Sequence, residues 1–329
     1  MKLIAILAAA MLLVAPAAAS AGNVGFTELK ISNGAEKPLV VGVWYPTDAP
    51  TAPHPVGTFV QDVAEDAPPS GDHLPLVVMS HGNGGSFEGH YDTAIALAKA
   101  GFVAAAVSHT GDTWDDQSHA TDMWLRPAHI HRLIDYMLAE WPHHGQIDPG
   151  KVGVFGFSSG GFTALVIAGA VPDFTTLAPH CAAHPDFFDC QLVRTSGIDV
   201  KARAASLTAA SWVHDPRVRA AVVAAPALGF TFGPAGLKDV RIPIQLWRDA
   251  DDHVLPNPYY AEAVRTALPQ PPEFHLVDNA DHFDFLAPCS DILRQHAPDI
   301  CVSRPGFDRA AFHADFDAKV VAFFQRTLD

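Results

Sequence analysis

A serine in the segment Gly156-Phe-Ser-Ser-Gly160 has the surroundings of a catalytic nucleophile. The segment matches the pattern G-x-S-x-G, in which a serine at a sharp strand-to-helix turn exposes its hydroxyl. Glycines two positions before and after the serine let the neighbouring backbone pass without a Cβ clash. Ser158 alone has both glycines, because Phe157 lies two residues before Ser159. We therefore predict that Ser158 attacks an acyl carbon.

Such a serine needs a base within hydrogen-bond reach and a carboxylate that orients the base. In the strand-turn-helix arrangement, the acid and then the histidine follow the serine along the chain. Asp251 and His282 come in that order, each in a loop after a predicted strand. We predict Asp251 as the acid and His282, which follows the final predicted strand, as the base. Asp249 and Asp252 flank Asp251 and stay open as alternative acids.

Acyl transfer also requires two backbone N–H groups aimed at the negative oxygen that forms during the reaction. The residue after the nucleophile, Ser159, is expected to supply one N–H group. The glycine-rich segment Ser80-His-Gly-Asn-Gly-Gly85 follows another predicted strand, and we predict Asn83 as the second donor. A plain strand-to-helix connection is the alternative. A phosphate-binding loop is disfavoured, because the segment lacks the Lys-Ser/Thr ending of such loops.

The elements that would position these residues alternate between strand and helix. After two short extended segments (24–31 and 39–45), residues 47–72 are expected to form a Pro- and acid-rich loop. The alternation predicts an α/β fold with a mostly parallel central sheet and helices on both faces, with ligands at the carboxyl ends of the strands. The predicted strands are 76–80, 102–107, 152–155, 218–224, 242–247 and 274–277, and the predicted helices are 91–100, 126–141 and 308–327.

Residues 171–214 interrupt this alternation, with prolines, two cysteines and no clear period. We predict that they form a cap or lid inserted over the active site; a structural elaboration away from the site is the alternative. Phe157, Phe87, Trp247 and Phe283 lie beside the predicted catalytic positions and are candidates for an apolar substrate pocket. For most of them, core packing is the favoured alternative.

Composition restricts the class of protein. A chain of 329 residues with 49% hydrophobic and 17% charged residues can bury a substantial core, as one large or two small domains. Its 36 acidic against 21 basic residues argue against nucleic acid as a partner.

The first 21 residues have the pattern of a secretory signal. Lys2 supplies the positive charge, residues 3–14 are apolar, and Ala19-Ser-Ala21 is a cleavage site of the A-x-A type. The apolar run is shorter than the ~20 residues that span a bilayer. We therefore expect no stable membrane anchor, a catalytic domain over residues 22–329, and a periplasmic or secreted location.

Four cysteines fit an oxidising compartment and permit three pairings. Local pairing, Cys181 with Cys190 and Cys289 with Cys301, is the prediction, against crossed pairing or free buried thiols. A metal site is not predicted, because the spacing of the polar residues that follow the second parallel strand matches no ligand template. These residues are His109, Asp112, Asp115, Asp116 and His119.

The chain resembles the α/β-hydrolase superfamily, specifically the bacterial predicted dienelactone hydrolase group related to platelet-activating-factor acetylhydrolase. The resemblance runs from about residue 24 to 328 and rests on four segments: Val43-Trp-Tyr-Pro46, Val77-Val-Met-Ser-His-Gly-Asn-Gly84, Gly156-Phe-Ser-Ser-Gly160 and His282-Phe-Asp-Phe-Leu-Ala-Pro-Cys289. The group implies the α/β-hydrolase fold and hydrolysis of esters without a cofactor. Dienelactone hydrolases have a cysteine nucleophile where this chain has Ser158, so the resemblance implies the chemistry and not the substrate.

These observations predict an exported serine hydrolase that cleaves small-molecule carboxylic esters through an acyl-enzyme, without metal or organic cofactor. Peptidases, amidases and acyltransferases use the same catalytic groups and are alternatives within the enzyme class. A catalytically silent binding protein on a hydrolase scaffold is the alternative from another class.

Overall fold

A ten-stranded sheet organises the part of the chain that the computed structural model describes, residues 22–328. The predicted secretory signal lies outside these residues. In chain order the strands are β1 (Asn23–Ile31), β2 (Leu39–Thr47), β3 (Ala52–Val56), β4 (Phe59–Glu65), β5 (Leu74–Ser80), β6 (Val103–Ser108), β7 (Ile147–Phe157), β8 (Val218–Ala224), β9 (Ile244–Asp249) and β10 (Glu273–Val277).

The strand order across the sheet is β10-β9-β8-β7-β5-β6-β2-β1-β4-β3. Each hydrogen-bonded pair among β5 to β10 is parallel, so the carboxyl ends of these six strands lie along one edge. The pairs β1–β2, β2–β6 and β3–β4 are antiparallel. The predicted mostly parallel sheet is confirmed, and its carboxyl edge is the place where loop residues from different strands can meet.

Helices cover both faces of the sheet. Their bounds are α1 (Tyr91–Lys99), α2 (Leu125–Ala139), α3 (Ser159–Ile167), α4 (Leu177–Ala183), α5 (Phe188–Ser196), α6 (Val200–Ser206), α7 (Pro234–Leu237), α8 (Ala261–Ala267), α9 (Asp291–His296) and α10 (Arg309–Thr327). Leu76 and Val78 of β5 pack in one core cluster with residues of α2 and α3. Val77 and Met79 point to the other face and pack with residues of α1 and α10. A strand covered on both faces requires the unbroken apolar run that β5 has.

The hairpin of β3 and β4 corrects the prediction of a loop over residues 47–72. Pro53 and Pro55 lie in β3, which is the last strand at one side of the sheet. An edge strand has a neighbour on one side only, so the N–H groups on its outer side bond to no other strand, and proline is tolerated at those positions. Alternating burial of Phe59, Gln61 and Val63 in β4 supplies the half-buried pattern of its partner.

The segment 171–214 forms three short helices, α4, α5 and α6, together with two 3₁₀ turns. The Cys181–Cys190 disulfide joins α4 to α5, and Cys289–Cys301 closes a second local loop, so the predicted pairing is confirmed. Phe174 and Trp212, near the two ends of the segment, pack against Phe162 of α3, the helix that follows the predicted nucleophile. Among the described residues, no helix is both long enough and apolar enough to cross a bilayer.

Candidate active site

Ser158 lies between the end of β7 and the start of α3, with φ 55° and ψ −118°. This is an uncommon backbone conformation for a residue with a side chain, and it is typical of a serine at a strand-to-helix turn. The two glycines of the pattern are required by close packing. A Cβ atom on Gly156 would lie 2.0 Å from the carbonyl oxygen of Gly160, and one on Gly160 would lie 1.9 Å from that of Ser80.

The Ser158 hydroxyl and the His282 ring are in hydrogen-bond contact. His282 Nε2 lies 3.0 Å from Ser158 Oγ, although 124 residues separate the two along the chain. His282 begins a short 3₁₀ turn in the loop that follows β10, and its side chain is buried. When Nδ1 carries the N–H proton of the neutral ring, Nε2 can accept the proton of the hydroxyl.

The carboxylate that contacts His282 is Asp252, and the prediction of Asp251 is wrong. His282 Nδ1 lies 2.9 Å from Asp252 Oδ2, and both side chains are buried. The Asp251 side chain is 42% exposed and lies 3.7 Å from Arg304. Strand β9 runs to Asp249, beyond the predicted end at Trp247, and this shifts the turn that faces the histidine along the chain.

A local signal marks Asp252. Its Oδ1 accepts hydrogen bonds from the backbone N–H groups of Val254, at 2.9 Å, and Leu255, at 2.6 Å. An aspartate that caps the turn two and three residues after it has a defined orientation, which a neighbouring exposed aspartate lacks. The segment Asp252-His-Val-Leu-Pro256, with proline directly after that turn, is the pattern that could have identified the residue.

The two predicted N–H donors lie in segments next to the serine. Ser159 is the first residue of α3, so its N–H group has no acceptor within the helix. Asn83 lies in the loop after β5, and its backbone N–H makes no hydrogen bond to another described group. This loop lies against the nucleophile, because a Cβ atom on Gly82 would be 3.3 Å from the Ser158 Cβ.

Comparisons with known proteins bear on the fold and on the class of enzyme. Residues 64–202 match the family model described as the dienelactone hydrolase family. The fold is similar to that of a ferulic acid esterase from Streptomyces cinnamoneus, with a TM-score of 0.63 and 20% sequence identity over 96% of this chain and 92% of the other. A search of curated proteins found no match. Residues 64–202 are similar to the dienelactone hydrolase family, and the chain has the α/β-hydrolase fold. It is therefore an enzyme of the class that hydrolyses carboxylic esters.

The carboxyl groups behind the His282 ring of this hydrolase differ in charge. Burial alone would raise the pKa of Asp252, but the His282 ring and the backbone donors outweigh burial and lower it. Asp249, at the end of β9, has its pKa raised well above the ordinary value by burial and by the charge of Asp252. Neither Asp249 oxygen accepts a hydrogen bond from another described group. A neutral Asp249 acid beside an ionised Asp252 is the arrangement that these surroundings favour.

Three of the four aromatic residues predicted as pocket candidates belong to the core of the hydrolase. Phe157, Phe87 and Trp247 are buried and pack with residues beneath the sheet. Phe157 also contacts the His282 ring, with centroids 4.8 Å apart. Phe283 is half-buried, next to His282. The core-packing alternative thus holds for three of them, since their side chains have no free face.

A cavity of about 40 Å³ lies between segment 171–214 and the turn that follows the nucleophile. The segment contributes Leu177, Phe188, Leu192 and Val193, and Ser159 stands at the opposite wall. We call this space the cap cavity. Its walls come from residues far apart in sequence, and no local pattern in the chain indicates it.

The polar residues after β6 do not gather around a common point. His109 lies 2.8 Å from Ser80 Oγ and 3.2 Å from a ring nitrogen of His129, whereas Asp112 pairs with Arg126. Asp116 pairs with Lys37 at 2.9 Å. His109, Asp112 and Asp116 are thus engaged in separate contacts.

Proposed function

We propose that the chain hydrolyses carboxylic esters with Ser158 as nucleophile, His282 as general base and Asp252 as the orienting acid. The observation that carries the proposal is the continuous line of contacts from Ser158 Oγ through the two His282 ring nitrogens to Asp252 Oδ2, at 3.0 Å and 2.9 Å. Groups of these types at these distances form the arrangement that activates a serine hydroxyl.

In the first half of the reaction, the Ser158 oxygen attacks the carbonyl carbon while its proton passes to His282 Nε2. Asp252 holds the Nδ1–H group and stabilises the imidazolium that forms. The carbonyl oxygen becomes negative, and the N–H groups of Asn83 and Ser159 bind it. Collapse of the tetrahedral intermediate breaks the ester C–O bond, and the alcohol leaves with the proton from His282 Nε2.

In the second half, water attacks the acyl-enzyme by the same route. His282 accepts a proton from the water, and the N–H groups again bind the negative oxygen. Collapse of this second intermediate returns the proton to Ser158 and releases the carboxylic acid. The reactants of the two halves are the ester and water, and the proton transfers are made by Ser158 and His282.

The cap cavity is the proposed site for one apolar end of the ester. The two titratable groups on its walls, Asp189 and Arg203, already have polar partners. Burial raises the pKa of the Asp189 carboxyl, which accepts a hydrogen bond from Tyr260 at 2.9 Å. Arg203 pairs with Asp122 at 2.9 Å and stacks on the Trp124 ring. An uncharged apolar group is therefore favoured over an anionic one.

The size of the cap cavity limits the group it accepts. A single water needs roughly 10–15 Å³ of such space, so about 40 Å³ admits a few heavy atoms. A group as large as the feruloyl moiety would require the segment 171–214 to move. Short acyl esters and a feruloyl ester, the latter suggested by the structural neighbour's name, should thus be compared directly.

Export to an oxidising compartment is part of the proposal. It is supported by the two disulfides and by the pattern of the first 21 residues. Expression of the full chain in a Gram-negative host, followed by fractionation and N-terminal sequencing, should find the mature protein outside the cytoplasm with a new N-terminus near residue 22. Retention of Met1 on the recovered protein would contradict export by this signal.

The decisive experiment measures hydrolysis of p-nitrophenyl esters by the purified chain and its Ser158→Ala variant. A loss of roughly 10⁴–10⁶-fold in kcat is expected for the variant. Ser196→Ala, an exposed serine of α5, serves as the matched control and should retain full activity. Undiminished hydrolysis by Ser158→Ala would contradict the proposal.

The same preparation separates the other candidate functions. Matched anilides in place of esters reveal an amidase or peptidase, and added acceptor alcohols reveal an acyltransferase through new ester products. A wild-type chain that is folded yet inert towards all of these substrates would instead be a binding protein on a hydrolase scaffold.

A further inference from the structure

A buried ion pair lies behind the loop that carries Asn83. Arg126, near the start of α2, contacts Asp112, and both side chains are only 3% exposed. A charged pair removed from water costs free energy unless its remaining hydrogen-bonding groups are also satisfied. The contacts of these two residues therefore show what the pair holds in place.

Asp112 fixes the loop from the Asn83 side. Its Oδ1 accepts hydrogen bonds from the Asn83 side-chain amide and from the backbone N–H of Gly84, both at 2.8 Å. Gly84 has φ 65°, a left-handed conformation that leaves its N–H available to Asp112. Asp112 thus engages the two N–H donors next to the Asn83 backbone N–H, namely the Asn83 side-chain amide and the Gly84 backbone. The Asn83 backbone N–H remains free for the substrate oxygen.

Arg126 extends the connection to both halves of the proposed oxyanion site. One guanidinium nitrogen, Nη2, donates to the carbonyl oxygen of His81 in the loop. Another, Nε, donates to Thr163 Oγ1 at 3.3 Å, and Thr163 donates in turn to the carbonyl oxygen of Ser159 at 2.8 Å. A single planar side chain thus links the loop of Asn83 to the first turn of α3.

The other titratable groups around the pair do not compete for these contacts. His81, His109 and His129 surround Arg126, and burial together with the arginine charge lowers the pKa of each ring. The rings are therefore neutral, and the Asp112 carboxylate is the anion that faces Arg126. An oxyanion site is preorganised when the groups around it are already fixed in place before the negative charge forms on the substrate.

We propose that Arg126 and Asp112 are positioning residues that hold the Asn83 and Ser159 N–H groups at the spacing needed to bind the oxyanion. The inference rests on the proposed ester hydrolysis and deepens it. Neither side chain touches the substrate in this account; both act through the backbone of the loop and of α3.

Three substitutions test the proposal. Arg126→Lys keeps the charge but loses the planar fork, so it cannot contact His81, Asp112 and Thr163 together. Asp112→Asn keeps an oxygen for Gly84 and removes the charge that holds Arg126. Thr163→Val removes only the hydroxyl between Arg126 and Ser159 and leaves the ion pair intact. This variant keeps the proposal testable if the other two fail to fold.

The readouts separate positioning from simple loss of folded protein. Each variant is assayed for kcat, for KM, and for the inhibition constant of phenylboronic acid, whose tetrahedral adduct with a serine places an oxygen in the oxyanion site. Loss of one oxyanion donor costs about 10²–10³-fold in kcat. We expect a fall of about 10²-fold for Arg126→Lys and Asp112→Asn and about tenfold for Thr163→Val. KM should stay within about twofold, and boronate binding should weaken in parallel with kcat.

The matched control is Arg217→Met, which removes the guanidinium that pairs with Asp215 and Asp135 at the opposite edge of the sheet. A role confined to stability would lower kcat through the active fraction alone and leave the boronate constant unchanged; that result would overturn the proposal. Variants no more impaired in kcat than Arg217→Met would overturn it too. A wild-type chain inert towards esters would instead refute the proposed function itself.

Discussion

Substitution of Asp252 by asparagine tests the assignment of the acid, because Asp252 contacts the His282 ring whereas the neighbouring Asp251 lies near Arg304. In Asp252→Asn, one side-chain oxygen can still accept the N–H groups of Val254 and Leu255, and the turn is retained. The amide then has only its NH₂ group to present to His282 Nδ1. The ring must protonate at Nε2 to make that contact, and a protonated Nε2 cannot accept the Ser158 proton.

The size of the effect follows from this change of tautomer. Holding a catalytic histidine in the wrong tautomer costs about 10⁴-fold in kcat, equivalent to about 5.4 kcal/mol at 1.36 kcal/mol per factor of ten. Asp251→Asn removes only an exposed contact with Arg304 at 3.7 Å. Exposed pairs of this kind contribute about 0–1 kcal/mol to stability, so its kcat should stay within about threefold of the wild type.

The assay is steady-state hydrolysis of p-nitrophenyl acetate near neutral pH, with circular dichroism to confirm that each variant is folded. Equal losses in Asp251→Asn and Asp252→Asn would refute the reasoning, as would a fall of less than tenfold in Asp252→Asn.

Three further outcomes are expected. Asp249→Asn should become increasingly more stable than the wild type as the pH rises above about 4. A buried carboxyl with a raised pKa stabilises the fold below its unfolded-state pKa, and this contribution is lost as the pH rises towards the folded-state pKa. Denaturant unfolding across pH would show a constant difference in stability between the two proteins if Asp249 were ionised throughout. Leu192→Ala should enlarge the cap cavity and raise kcat/KM for hexanoate relative to acetate, at about 0.8 kcal/mol or fourfold for each methylene newly buried, whereas Ile292→Ala on exposed α9 should leave the ratio unchanged. Replacing Cys181 and Cys190 together by alanine should lower the free energy of unfolding by about 2–3 kcal/mol, as expected for a loop closed over a separation of 9 residues; equal melting temperatures with and without the bridge would argue against it.

Most of the scaffold is readable from local patterns. The buried strands that become β5 to β10 and the amphipathic helix α2 follow from apolar runs and from spacing. Ile130, Leu133, Ile134 and Met137 recur at helical intervals, and all are fully buried. The serine is identified for the same reason, since steric limits at a tight turn dictate the residues around it.

The remaining features depend on contacts that local patterns do not record. The hairpin of β3 and β4 is hidden by prolines that only an outer strand tolerates. Choosing Asp252 over Asp251 requires knowing where β9 ends, and strand ends are set by pairing with neighbours. The cap cavity and the Arg126–Asp112 pair join segments that are distant in sequence, so neither was predicted from the chain alone.

Covalent labelling tests the central claim most directly. The purified chain is treated with a fluorophosphonate probe near neutral pH, and the labelled peptide is identified by mass spectrometry. We expect one label, on the Ser158 hydroxyl, that is absent from Ser158→Ala and forms several orders of magnitude more slowly in His282→Ala. A label on another residue, or a rate at Ser158 that does not depend on His282, would contradict it.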